Sequence, residues 1–175
     1  MNGVARDRNY DPVAARVTGN RWIAGESART RDAVTRAIGE HKYNEAAASL
    51  YQFAWNVYCD WYVELIKPIL SGTDEQAKAE TRGSAAWVLD QILLLLHPFM
   101  PFVTEELWQK TAARDKWLID SEWPSYKGLG DPHADAEIEW VIRLISEVRS
   151  VRAEMNVPAG AKIAAVIVGA NGETR

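Results

Sequence analysis

The stretch Asn44–Leu70, NEAAASLYQFAWNVYCDWYVELIKPIL, decides the fold. Ala46, Ala47, Leu50, Tyr51, Ala54, Val57, Tyr58, Trp61 and Leu65 recur at steps of three and four, the period of a helix with one buried face. Asn44 is a favoured N-cap residue, and Glu45 places a carboxylate in the first turn, where the helix dipole favours it. Pro68 ends or kinks the helix, because it has no N–H to donate and crowds the preceding turn. Roughly 25 residues at 1.5 Å each give a rod of about 37 Å, enough to cross a small domain. Phe53, Trp55 and Tyr62 fall outside the main stripe, so the rod is expected to touch neighbours on two or three sides. It reads as the spine of a helical bundle.

Upstream, residues 1–19 are polar and broken by Pro12, and read as a lead-in strap. Asn20 is placed to cap a helix running to about Glu40, with Trp22, Ile23, Val34, Ala37 and Ile38 inward and Arg29, Arg31 and Arg36 outward. Downstream, Asp74 is placed to cap a third helix whose second half is apolar, from Ala85 to Leu96. Pro98 stops it and Pro101 starts the next. From Thr111 to Asp135 the chain is irregular. An amphipathic helix follows to Met155, with Ile138, Val141, Ile142, Ile145, Val148 and Val151 on one side. Lys162–Val168 (KIAAVIV) reads as a strand.

The expected fold is therefore mainly α: an antiparallel helical bundle followed by a short α+β linker element with at least one strand. The expected divisions are a lead-in at 1–19, the bundle at 20–124, a surface linker at 125–134, an amphipathic helix at 135–156 and a strand-containing tail at 157–175. A lone strand is unstable, so the tail has to find a partner.

With 175 residues and 47% hydrophobic content, the chain can bury one good core. The single cysteine excludes an internal disulfide. The first thirty residues hold no signal-peptide apolar run, and Ile92–Leu96 is far too short to span a bilayer. A cytoplasmic protein without membrane contact is expected. The net charge of −4 argues against a general nucleic-acid binder, but the charge is uneven. Residues 1–42 hold 8 basic against 5 acidic side chains, and the remainder 12 against 19, which permits a local basic surface.

Catalytic signatures are absent. The sequence has no Gly-rich phosphate loop, HExxH, CxxC or GxSxG. His97 reads as a helix-end residue bonding a last carbonyl, and Cys59 as a small buried hydrophobe. Glu105 and Glu106 read as first-turn carboxylates complementing a helix dipole. Tyr43 and Trp55 read as core rather than as stacking platforms. On residue content alone this is a non-catalytic helical domain, with no metal site and no cofactor of its own.

Five stretches carry a resemblance: NRWI at 20–23, YNEAAASLYQFAWNVYCDWYVELIKP at 43–68, LLHPFMPFVTEELWQ at 95–109, WP at 123–124 and RAEMNVP at 152–158. Together they resemble the C-terminal anticodon-binding helical domain of the valyl-tRNA synthetases, in that family's order and approximate spacing. The isoleucyl and leucyl enzymes share the bundle and a similar EELW end, whereas CDWYVELIKP and RAEMNVP look valyl. The resemblance implies a bundle of the class I synthetase type that recognises tRNA-Val as a monomer. Aminoacylation, with its ATP and magnesium, would belong to a catalytic domain that this chain does not contain. It also implies that Met1 lies inside a longer chain, that the terminal strand belongs to a small linker toward a coiled coil, and that further anticodon contacts lie upstream.

The resemblance implies anticodon contacts at Val63 and Glu64. Lys42, Arg29, Arg31 and Arg36 are candidates for holding the RNA backbone. A competing reading keeps these arginines as a solvated helix face and Glu64 as an ordinary surface carboxylate. Arg143, Arg149 and Arg152 stay open in the same way. A helical bundle that docks a protein partner is the alternative from another class.

Overall fold

The fold was described from a computed structural model, which describes residues 10–158, 160–162, 164, 166, 168 and 169. Among the described residues seven α-helical elements follow one another: α1 Thr18–Gly39, α2 Tyr43–Tyr51, α3 Val63–Leu65, α4 Lys67–Ser71, α5 Glu75–Leu96, α6 Pro101–Thr111 and α7 Pro132–Glu154. Short 3-10 turns sit at Pro12–Ala14 and Leu118–Asp120, and a π-helical segment at Gln52–Tyr62 joins α2 to α3. The chain divides into two compact units, Met1–Trp140 and Val141–Arg175.

The spine runs helically from Tyr43 to Leu65 and resumes at Lys67–Ser71 after a break at Ile66, and it changes period on the way. A π-helix closes i→i+5 rings and turns once in about 4.4 residues rather than 3.6. Its effect shows in which residues are buried: Ala46, Leu50 and Phe53, then Tyr62 and Ile66. The nine-residue step from Phe53 to Tyr62 is two π turns. The stripe expected from a 3.6 period is accordingly displaced by one residue, and Tyr62 and Ile66 are buried where Trp61 and Leu65 were expected. Pro68 sits in the first turn of α4, and the helix is interrupted just before it at Ile66.

The reversal from α1 into the spine is made by backbone hydrogen bonds. His41 N donates to Ile38 O (3.0 Å) and Lys42 N to Ala37 O (2.8 Å), with His41 at φ 60°. That is a Schellman closure with a histidine at the left-handed position usually given to glycine. It lays the spine antiparallel to α1, and Val34, Ala37, Ala46, Leu50 and Leu95 form one core cluster between α1, α2 and α5. Leu93, Trp108 and Leu118 form a second where α6 and the following turn close on α5.

Two expected caps are replaced. α1 begins at Thr18, and Asn20 lies buried inside it with its amide given to other elements. The spine begins at Tyr43, with Lys42 at the N-cap and no side-chain cap bond. Asp74 does cap α5, accepting from the backbone N–H groups of Gln76 and Ala77 at 3.0 Å. Asp131 does the same for α7 toward His133 and Ala134, ahead of Pro132.

The expected α+β linker is corrected. The described residues hold no strand: Lys162, Ala164, Val166 and Val168 carry no ladder, and Val166 and Val168 are 84% and 89% exposed. The physical reason is pairing. A strand needs a second extended segment to satisfy its N–H and C=O groups, and the described residues offer none. Ala159, Ile163, Ala165 and Ile167 lie outside the described residues, as do 1–9 of the expected lead-in and 170–175 of the tail. Within the second unit, α7 closes through Asn156 at φ 53° with Val157 N on Arg152 O (2.9 Å), and the Arg152 guanidinium donates to Pro158 O (2.7 Å) and Ala161 O (3.1 Å).

Candidate nucleic-acid interface

The end of the spine that carries Val63 and Glu64 is held from beneath by a buried polar network. Tyr62 donates its phenol to Asn20 Oδ1 at 2.8 Å, and Asn20 Nδ2 donates to Glu80 Oε1 (2.9 Å) and Thr81 Oγ1 (3.1 Å). Glu80 also accepts from the backbone N–H groups of Arg16 (3.0 Å) and Val17 (2.9 Å). One hub thus ties the strap, α1, the spine and α5, and such networks rigidify when every member is satisfied. Burial drives the Tyr62 phenol far above its ordinary pKa and pushes Tyr58 up to about 12. Both stay protonated as donors, Tyr58 toward Ala85 O at 3.1 Å, and their rings stack at 5.7 Å.

Above this base, Val63 is half-buried and Glu64 exposed. The Glu64 carboxylate accepts from Lys67 Nζ at 2.6 Å, one helical turn along. Two features are therefore side by side on open surface: a carboxylate that accepts hydrogen bonds and an ammonium that attracts phosphate.

The proposed backbone-holding cations do not converge on that point. Lys42 lies at the other end of the spine, about 25–30 Å away along the axis, where it pairs with Glu40 at 2.8 Å. Arg36 is exposed in the last turn of α1, near the same end. Arg29 is committed to Asp135 (2.9 Å) and Glu26 (2.7 Å). It lines a groove of about 230 Å³ with Thr30, Ser49, Gln52, Phe53 and Val57. Arg31 pairs with Asp32 at 3.1 Å and lies over the Tyr126 ring at 5.1 Å, on the 112–131 wrap.

Three side chains expected in the core are outside it. Tyr43 and Trp55 are 55% and 56% exposed, and Cys59 is exposed as well. Even at about 100° per residue Trp55 and Cys59 lie about 140° or more round the rod from Leu50, so a helical wheel centred on Leu50 is the signal that finds them. Desolvation, then the neighbouring Asp60, push the Cys59 thiol pKa up, so it remains a thiol rather than a thiolate nucleophile. His97 bonds the Thr104 hydroxyl (2.8 Å), not a helix-end carbonyl. Glu105 serves a tertiary purpose, accepting from Leu118 N (2.9 Å) and Ile119 N (3.3 Å). Sequence reasoning also missed an apolar hollow of about 440 Å³ beside Phe102, Trp117 and Ile119. Among the described residues no group of three or more His, Cys, Asp or Glu is placed to hold a metal ion, and no helix is long and apolar enough to cross a membrane.

Residues 20–168 match the family described as "Anticodon-binding domain of tRNA ligase". Over the whole chain it is 52% identical to a protein named valine–tRNA ligase from Caulobacter vibrioides, of which the aligned part is 20%. The corresponding protein of Bradyrhizobium diazoefficiens is 46% identical over 100% of this chain and 22% of its own length. That of Agrobacterium fabrum is 51% identical over 99% of this chain and 19% of its own length. The chain thus spans about a fifth of the length of the curated relatives it matches.

Proposed function

Because the chain belongs to the family of anticodon-binding domains of tRNA ligases, we propose that it recognises the anticodon of tRNA-Val on behalf of a valine–tRNA ligase. It binds and orients the RNA, and ATP- and magnesium-dependent aminoacylation takes place on other parts of the longer protein, a cytoplasmic monomer. No step of that chemistry is assigned to residues of this chain.

One observation supports the reading most: the Glu64 carboxylate stands in the open at a rigidly held end of the spine. Valine codons begin with G and U, so the anticodon ends in A and C, both of which carry exocyclic amines. Unpaired loops are read by splayed bases that stack and hydrogen-bond to side chains, and a carboxylate accepting from a cytosine amine is a favourable pairing. Glu64 fills that role, with Val63 packing beside the base and Lys67 compensating the carboxylate until RNA arrives. Arg36 and Lys42, at the far end of the spine, hold the RNA backbone rather than read it. Arg29 and Arg31 add positive potential from within their ion pairs.

Titration of the chain with tRNA-Val transcripts tests this. Binding is expected to be salt-sensitive and to weaken when the anticodon A or C is changed. Glu64→Gln is expected to reduce discrimination at one anticodon base by about 1–3 kcal/mol, with an unchanged melting temperature. Affinity indifferent to the anticodon refutes the reading.

A further inference from the structure

The π segment does more than shift the buried stripe. Nine residues separate Trp55 from Glu64. In an α-helix, at about 100° per residue, that places them on opposite sides of the rod. With most of those residues turning about 82° each, the pair comes within about 50°. Exposure agrees: Tyr51, Trp55, Asp60 and Glu64, at steps of four, five and four, are all exposed. Tyr51 is 64% exposed and Trp55 56%. Two large rings held outside the core, on the stripe that carries the carboxylate, have no packing role that accounts for their exposure.

We propose that Tyr51 and Trp55 form a stacking platform for unpaired RNA bases, brought into line with Glu64 by the π-helical segment. The inference rests on the reading that this face of the spine meets an anticodon loop. Chemistry commits the stripe to bases rather than to phosphates. Between Trp55 and Glu64 it carries Asp60, so its middle is anionic, repelling phosphate while accepting from base amines. Every base has a π face, and stacking on an aromatic side chain is sequence-tolerant. The spacing fits as well: Trp55 to Glu64 spans about 10–13 Å along the axis, close to three bases at about 3.4 Å each. The platform supplies affinity without discrimination, and the carboxylate beyond it supplies discrimination.

The test uses the complete chain and RNA hairpins carrying the valine anticodon loop, variants with a changed anticodon base, and one with an abasic anticodon position. Trp55→Leu is expected to weaken binding roughly 5- to 150-fold, the factor equivalent to about 1–3 kcal/mol of stacking, by the same ratio for every intact loop. The loss should shrink on the abasic hairpin, and Trp55→Phe should restore most of the affinity. Melting temperatures should stay level, since the ring is outside the core. Should Trp55→Leu bind every hairpin within twofold of the parent, the platform is refuted even if Glu64→Gln alters base preference. Should Trp55→Leu weaken all hairpins while the anticodon sequence has no effect, the platform stands and base reading by Glu64 falls. Absence of measurable binding to any hairpin overturns both.

Discussion

Replacing Asp90 by alanine should destabilise this protein more than any other single loss of charge. Asp90 on α5 receives Arg114 through two bonds, Nη1 to Oδ2 at 2.9 Å and Nη2 to Oδ1 at 2.6 Å. The guanidinium also donates from Nε to Trp108 O at 2.9 Å and lies 3.6 Å from the Trp108 ring centroid. The two side chains are only 2% and 7% exposed. The pair's net contribution is small, because desolvating two ions offsets most of their attraction, but removing one partner leaves a buried charge uncompensated at a cost of about 3–5 kcal/mol. Against a total stability of about 5–15 kcal/mol, that is a large fraction. At roughly 2–4 °C per kcal/mol for a chain of this size, the melting temperature should fall by about 6–20 °C. Urea unfolding with constant m-value, supported by calorimetry, measures it. The double change Asp90→Leu with Arg114→Met, which removes both ions and keeps the volume, should cost far less. Salt near 1 M should not mimic the single change, because screening acts on exposed charges. A loss below about 1 kcal/mol for Asp90→Ala, or a double variant as damaged as the single, refutes the reasoning.

Asn20→Ala removes the acceptor of the Tyr62 phenol and both donors to Glu80 and Thr81. It should cost about 2–4 kcal/mol by leaving buried polar groups unpaired, measured by the same urea unfolding. Desolvation pushes Glu105 up, but the Leu118 N–H, Gln109 and the Ile119 N–H outweigh it, and its pKa lies below the ordinary carboxylate value. A depressed folded-state pKa means the contribution is fully present above the unfolded value of about 4.3 and is lost as pH falls through the folded one. The protection factor of the Leu118 amide, taken relative to its intrinsic exchange rate at each pH, should therefore fall in that acidic window, and Glu105→Gln should flatten the dependence. At Gly83 an added Cβ would meet Tyr10 Cδ2 at 2.7 Å and Cγ at 3.1 Å. Gly83→Ala should displace the Tyr10 ring and expose the neighbouring backbone to protease, despite a gain of about 1 kcal/mol in helix propensity.

The fold was legible where local chemistry and tertiary packing agree. Asp74 looks like a cap and is one, Pro101 looks like a helix start and is one, and the apolar second half of α5 marks a buried seam that exists. Legibility failed where a residue's partner is distant in sequence. Asn20 has the chemistry of an N-cap, yet bonds Tyr62, Glu80 and Thr81 more than forty residues away. It failed again where the template was wrong. A 3.6 period applied past Gln52 puts Trp61 and Leu65 on the buried stripe and Tyr62 off it, whereas the structure buries Tyr62 and Ile66. KIAAVIV has a strand's composition, but composition supplies no neighbour for its backbone. Of the candidate site, the sequence offered Val63 and Glu64 only through the resemblance, and the structure adds that Glu64 is exposed. The separation of Lys42 follows from the length of the spine, but the placement of Arg29 and Arg31 was not readable, because it depends on how α1 is turned against the spine.

The wide-turn segment in the middle of the spine spends about two residues more on two turns than an ordinary helix would. Excising a single position between Gln52 and Tyr62 would let the ladder close nearer its usual span, with every backbone group still satisfied. Everything beyond would swing by about 100°, carrying Glu64 away from Trp55 and Tyr62 away from its buried socket. In this stretch the tally of residues is a constraint in its own right, beside the identity of the side chains.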